Sequence, residues 1–178
     1  MERLEVRLSG AGGQGMILGG IILAEASTYH PDLNVVQTQS YGPESRGGAS
    51  RAEVVLSQAE IDYPKVVKAD ILVSLTDEAL EKYGAEVEED GIVIVDESLN
   101  TDGFTPPGEG EFFQVPIFAT ARDEIGMELT ANMVALGAVS HFLPGLDEES
   151  IEKAIRSRVP EGTEEKNLAA FAAGRKLV

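Results

Sequence analysis

The sequence predicts an α/β fold: a three-layer αβα, Rossmann-like domain on a mixed, mainly parallel sheet. Three observations carry that expectation. Leu4, Val6 and Leu8 alternate with polar residues and run into a glycine-rich turn, which is followed at once by an apolar helical stretch. Residues 70–75 and 91–96 are short apolar runs on either side of a helical segment at 77–83, the pattern of parallel strands buried on both faces. The last third of the chain reads as successive helices. With 178 residues, 43% of them hydrophobic and 25% charged, the chain suits one domain, 1–178, with a single core.

The first strand is expected over residues 4–9, then the turn Gly10-Ala-Gly-Gly-Gln-Gly15. Residues 16–26 are apolar almost all round and predict a buried helix. A short strand at 34–38 follows the turn at His30-Pro-Asp32. A segment bearing glycine and proline, 40–48, leads into a strand at 51–56. That connection is too short for a helical crossover, so the pair is expected to be antiparallel if adjacent, which makes the sheet mixed. Residues 112–116 end on proline and predict a strand near an edge. A helix over 128–143 would place Leu129, Met133, Leu136 and Val139 on one stripe. The helix at 146–159 opens on acids and carries its bases late, as the helix dipole favours. A final helix spans 163–176, with Thr163 as its cap and Lys166 where a capping box would need an acid or amide. No repeat, linker or low-complexity stretch interrupts the chain.

Composition excludes several chemistries. The chain has no cysteine, so disulfides, thiolate zinc sites, cysteine nucleophiles and self-held iron–sulfur clusters are ruled out. Its two histidines, His30 and His141, lie far apart and read as structural, and no metal site or catalytic residue is expected. No G-x-S-x-G elbow is present. A net charge of −17 argues against nucleic acid and anionic membranes as partners. The acidic runs 86–90 and 147–149 read as helix ends or solvated faces. No apolar run reaches the ~18 to 20 residues of a membrane span. The opening residues suit a strand and not a signal peptide, so the expected location is cytoplasmic.

Two stretches stand out. Gly10, Gly12 and Gly15, with Gly13 and Gln14 between them, satisfy G-x-G-x-x-G between a strand and a helix, where backbone N–H groups can approach a phosphate or a coenzyme A group. The ribose-binding acid of a dinucleotide site is missing; Gln37, Thr38 and Gln39 stand at that place. No Lys-Ser/Thr pair follows, which excludes a Walker A loop. Tight packing, a phosphate contact and a close approach by another chain all remain open, as does a stand-alone nucleotide-binding regulator. The second stretch, residues 37–51, carries two arginines in a chain with only 14 basic residues. Its Gln39, Tyr41, Pro43, Glu44, Arg46, Gly47, Gly48 and Arg51 predict a partner-contact surface. Asn132 and Asn167 fall on apolar helical segments and must find hydrogen-bond partners, within the chain or across to another subunit.

The residues Gly10-Ala-Gly-Gly-Gln-Gly-Met-Ile-Leu-Gly19 and Gln37-Thr-Gln-Ser-Tyr-Gly-Pro-Glu-Ser-Arg-Gly-Gly-Ala-Ser-Arg51 resemble the gamma subunit of 2-oxoacid:ferredoxin oxidoreductases. Ala52-Glu-Val-Val-Leu-Ser57, Ile61-Asp-Tyr-Pro64, Ala131-Asn-Met-Val-Ala-Leu-Gly137 and Asn167-Leu-Ala-Ala-Phe171 continue the resemblance over nearly the whole chain. The Tyr41-Gly-Pro-Glu44 wording is most similar to the 2-oxoglutarate type; pyruvate or ketoisovalerate homologues are the alternative. The resemblance implies a holoenzyme with thiamine diphosphate, Mg²⁺, 4Fe-4S clusters and coenzyme A. It converts a 2-oxoacid to an acyl-CoA and reduces ferredoxin. It also implies alpha and beta subunits, the thiamine diphosphate being bound there, and a ferredoxin-like delta subunit as partners. With no cofactor expected on this chain alone, its role would be docking and a possible coenzyme A contact.

Overall fold

The computed structural model describes residues 3–40 and 49–178. Six strands form one sheet in the order β2-β3-β1-β4-β5-β6. They are β1 (Leu4–Ala11), β2 (Asn34–Ser40), β3 (Ala49–Ser57), β4 (Ala69–Ser74), β5 (Val87–Asp96) and β6 (Glu111–Val115). β1, β4, β5 and β6 run parallel to one another, while β3 lies antiparallel to both β1 and β2. The sheet is thus mixed and mainly parallel, with the β2–β3 pair antiparallel and β6 at an edge, as the sequence predicts.

The period of two along each strand sorts the core into two layers. Val6, Leu8, Val54, Leu56, Ile71, Val73 and Ile94 face one side. There they pack against α1 (Met16–Thr28), α4 (Ala131–Ser140), α5 (Glu148–Arg158) and α6 (Glu164–Gly174). Val55, Leu72, Val93 and Val95 face the other side, covered by α2 (Asp77–Tyr83) through Ala79, Leu80 and Tyr83. The helical layers are therefore unequal, and α2 shares its side with irregular chain around Ile61, Val66 and Leu99.

Several elements depart from expectation, each for a local reason. The helix expected at 128–143 is a 3-10 turn, Glu128–Thr130, followed by α4. The turn is closed by Thr130, whose N–H and hydroxyl both donate to the Met127 carbonyl, at 2.9 and 2.7 Å. Leu129 thereby leaves the apolar stripe and is 83% exposed. α4 itself is buried on every side from Ala131 to Val139, because it lies between the sheet and α6. Upstream, a short helix α3 (Ile117–Ala119) widens into a π turn over Thr120–Glu124, which no periodicity announced. The acidic run 86–90 belongs to β5 and its approach, not to a helix end. α1 is less buried than an all-apolar helix suggests, with Ile17, Leu18, Ile21 and Ala24 only half covered. Thr163 precedes α6 without capping it: its hydroxyl donates to Pro160 O at 2.6 Å. Asp147 does cap α5, accepting the Ser150 N–H at 2.7 Å, and that bond holds its carboxyl below the usual range.

α4 and α6 cross backbone to backbone. A Cβ at Gly137 would strike Phe171 O and lie 2.9 Å from Arg175 N, and one at Gly174 would strike Val134 O. Gly137→Ala is therefore expected to destabilise the chain by about 1–3 kcal/mol through overpacking, measured by denaturant unfolding.

Glu25 ties α1 to α5. Its carboxylate accepts from Tyr29 Oη at 2.7 Å and Ser157 Oγ at 2.5 Å and pairs with Arg158. Burial alone would raise its pKa, but these hydrogen bonds outweigh burial and hold the carboxyl below its usual range. A depressed folded-state pKa stabilises at pH above the unfolded value and loses that contribution as pH falls through the folded one. Glu25→Gln should therefore lower Tm at neutral pH by about 2–4 °C. The gap between the two proteins should close on acidification below the ordinary carboxylate range, read by thermal scans at stepped pH.

Candidate functional site

β1 and β4 are parallel neighbours whose chains leave in opposite directions. β1 passes to α1 on the thick helical side and on to the β2 edge; β4 passes to α2 on the other side and on to β5. A crevice outside the carboxyl ends of such a pair is the usual binding place in an open α/β sheet. Ser9 and Ser74 stitch the pair below it: Ser9 Oγ donates to Val73 O at 2.7 Å and lies 3.0 Å from Ser74 Oγ.

The glycine turn occupies this crevice. Gly13 and Gly15 adopt φ of 96° and 75°, a region L side chains rarely enter. Gln14 braces the turn from within, its side-chain oxygen accepting the Ala11 N–H at 2.7 Å while its own N–H donates to Ala11 O at 3.2 Å. Gly15 is the N-cap of α1 and provides no capping side chain, so the first-turn N–H groups, at the positive end of the helix dipole, have no side-chain cap. Asn132, at the start of α4, holds the turn from the far side by donating Nδ2 to Gly15 O at 3.1 Å. Its Oδ1 is buried and, among the described residues, without a partner. Asn167 is likewise bonded within the chain, to Thr163 O at 2.9 Å.

Two cavities open beside the turn. One, about 570 Å³, is lined by Gly13, Gln14, Phe118, Glu128, Leu129 and Ala131. The other, about 240 Å³, is lined by Gly12, Gly13, Gly15, Met16, Ile17 and Ser50. Ser50 is buried with its Oγ donating to Gly10 O at 3.3 Å. Of these lining residues only Glu128 carries a charge, so the walls offer backbone dipoles and apolar surface, not proton transfer. Among the described residues no three His, Asp or Glu side chains converge for a metal. With no cysteine in the chain there is no thiolate for an iron–sulfur cluster either. These residues do not fit such groups. Phosphate is the kind of group that small backbone-lined turns accept.

The residues expected at a partner surface divide. Tyr41, Pro43, Glu44, Arg46, Gly47 and Gly48 lie outside the described residues. The ends of their segment are placed: Ser40 lies opposite Arg51, and Ala49 lies opposite Ala11, the last residue of β1 before the turn. Both ends thus meet at the glycine-turn end of the sheet. Gln39 is exposed on the edge strand β2. Arg51 is half-buried on β3, with Nε 3.3 Å from Glu53 Oε1 and its guanidinium 5.3 Å from the centre of the Tyr83 ring. It faces the α2 side of the sheet, whereas Ser50 faces the turn. The sequence marks Asn132 as needing a hydrogen-bond partner without saying where, and it gives Ser50, Phe118 and Leu129 no signal for this site. Ser50 and Asn132 fall inside the motifs quoted above; Phe118 and Leu129 carry no signal beyond being apolar. Neither histidine reaches the turn: His30 Nδ1 accepts from Asp32 N–H at 3.4 Å and His141 lies edge-on to Phe142.

Residues 5–177 match the profile of the pyruvate ferredoxin/flavodoxin oxidoreductase family. The 2-oxoglutarate synthase subunit KorC of Methanocaldococcus jannaschii is 49% identical over 175 residues, covering 98% of this chain and 94% of that one. The ketoisovalerate oxidoreductase subunit VorA of Methanothermobacter thermautotrophicus is 35% identical over 154 residues, covering 86% of this chain and 31% of that one. Among solved structures, the gamma subunit of a keto/oxoacid ferredoxin oxidoreductase from Geobacter sulfurreducens PCA superposes with a TM-score of 0.87. It is 44% identical and covers 99% of this chain and 97% of that one.

The turn's geometry separates two glycines. A Cβ at Gly12 meets nothing within 4 Å, while one at Gly15 would press on Asn132, 2.9 Å from its Cγ, and strain a positive φ. Gly15→Ala is expected to cost about 1–3 kcal/mol of stability and Gly12→Ala less than about 1 kcal/mol, compared by urea unfolding.

Proposed function

The chain belongs to the pyruvate ferredoxin/flavodoxin oxidoreductase family, and from that premise we propose that it is the gamma subunit of a multi-subunit 2-oxoacid:ferredoxin oxidoreductase of the 2-oxoglutarate type. The complex oxidatively decarboxylates 2-oxoglutarate, passes the acyl group to coenzyme A and reduces ferredoxin. The observation that carries the reading is the near-full-length likeness to KorC, higher in identity and in shared length than the likeness to VorA.

Carbanion chemistry at the oxoacid belongs to thiamine diphosphate, and electron transfer to iron–sulfur clusters. This chain has no cysteine to ligate a cluster. We place the thiamine diphosphate and its Mg²⁺ on alpha and beta subunits and the 4Fe-4S clusters on a ferredoxin-like delta subunit. The gamma chain contributes a docking surface at the carboxyl end of β1, where the glycine turn and the ends of the 41–48 segment meet. The uncapped first turn of α1 offers N–H groups to a coenzyme A phosphate. Arg46 and Arg51 suit bidentate contacts to carboxylate or phosphate.

The test uses the assembled complex. It should turn over 2-oxoglutarate in preference to pyruvate and ketoisovalerate, and lose activity when assembled without this chain. Preference for pyruvate, or turnover by this chain alone, would contradict the reading. In the same assay Gly12→Ala, whose fold is expected to be intact, should raise the KM for coenzyme A several-fold; an unchanged KM removes coenzyme A from this turn.

A further inference from the structure

The α2 side of the sheet buries charge that the proposed function does not use. Arg7, on β1, is 1% exposed. Its Nε donates to Glu53 Oε1 at 2.9 Å, Nη1 to Glu86 Oε2 at 2.7 Å and Nη2 to Val66 O at 3.2 Å, and its guanidinium stands 5.0 Å from the Tyr83 ring centre. Arg7 thus has its nitrogens occupied, and its single positive charge is shared between buried Glu53 and half-exposed Glu86. Arg51, far less buried than Arg7, is drawn onto the same carboxylate and the same ring. Its side chain is 31% exposed against 5% for Glu53, and among the described residues Glu53 is its only ionic partner. Its closest approach to Glu53 is through Nε, and among the described residues no other ionic partner takes its terminal nitrogens. Glu53 also accepts, through Oε2, the Thr38 hydroxyl at 3.4 Å. One carboxylate therefore links β1, β2 and β3 directly beneath both ends of the 41–48 segment.

We infer that Glu53 is a positioning residue: with Tyr83 it holds the Arg51 guanidinium in a fixed orientation toward an anionic group of a partner subunit. The inference rests on the gamma-subunit reading and adds to it the side chain that orients the docking arginine. An arginine immobilised before contact loses less side-chain freedom on binding, which is how a residue that never touches the partner strengthens the contact. Because the chain has 31 acidic and 14 basic residues, a partner's anion would otherwise meet mostly repulsion.

The experiment is competitive incorporation into the holoenzyme. Tagged wild-type chain and an untagged variant are co-expressed with the other subunits, and their ratio in the purified complex is read by mass spectrometry. Arg51→Ala and Glu53→Gln should each lower incorporation roughly 5- to 20-fold, the range for losing one charged contact at an interface. Glu53→Gln added to Arg51→Ala should lower it no further, because the two act through one contact. A purely structural Glu53 would penalise both backgrounds alike, and that result overturns the inference, as does a Glu53→Gln chain incorporated as well as wild type. Should circular dichroism show Glu53→Gln unfolded, Tyr83→Leu serves instead. It removes the ring beneath Arg51 and leaves the Glu53–Arg7 pair; its loss of incorporation should vanish in the Arg51→Ala background, and persistence there overturns the inference. Wild-type incorporation with an unaffected Arg51→Ala sinks the positioning role alone. Failure of the wild-type chain itself to enter any complex sinks the gamma-subunit reading with it.

Discussion

The arrangement depends on one pairing: β3 lies antiparallel between β1 and β2. A strand inserted in that sense begins where β1 ends, so Ala49 stands opposite Ala11 and the chain re-enters the sheet beside the glycine turn. Had β3 run parallel to β1, Ala49 would have entered the sheet at the opposite end, away from that turn. The register then aligns Arg51 with Ser9 and Ser40, and Glu53 with Arg7 and Thr38. Two stretches separated by more than twenty residues in sequence become a single end of the molecule.

The two sides of this sheet are built differently. The thick layer is apolar and tightly crossed: α4 is wholly enclosed, and Gly137 and Gly174 let α4 and α6 touch through their backbones. The thin layer holds the Arg7–Glu53–Glu86 cluster. Burying ions costs desolvation energy that their mutual attraction only partly offsets, so such a cluster is a weak source of stability. Its value here lies in fixing geometry, since Arg7 is held at once by Glu53 on β3, by Glu86 just ahead of β5 and by the Val66 carbonyl. The crevice outside β1 and β4 is lined by the backbone of the glycine turn and by little titratable chemistry, which suits the docking role proposed for this chain.

Much of the fold was legible because it follows from period and punctuation. Alternation at Leu4, Val6 and Leu8, the apolar runs at 70–75 and 91–96, and the short link into β3 each carried their consequence directly. What sequence could not give was tertiary. Arg7 sits in an alternating strand where the polar residue should face water, and only its two carboxylates and the Tyr83 ring explain its burial. Leu129 fits a helical stripe perfectly well, but the Thr130–Met127 turn takes it out of the helix and exposes it. At the site, the glycines announced themselves through spacing. Asn132 announced its need for a partner but not which one, because Gly15 lies 117 residues away, and Ser50 announced nothing, because a lone serine beside a conspicuous arginine carries no spacing signal.

The central claim is that this chain acts by docking at the carboxyl end of β1. Hydrogen–deuterium exchange of the free chain and of the chain within its complex addresses it most directly. The account predicts that assembly slows exchange at residues 12–18 and across 40–51, while α5 and α6 exchange alike in both states. Protection confined to the α5–α6 surface, with the turn and the 40–51 stretch unchanged, would contradict it.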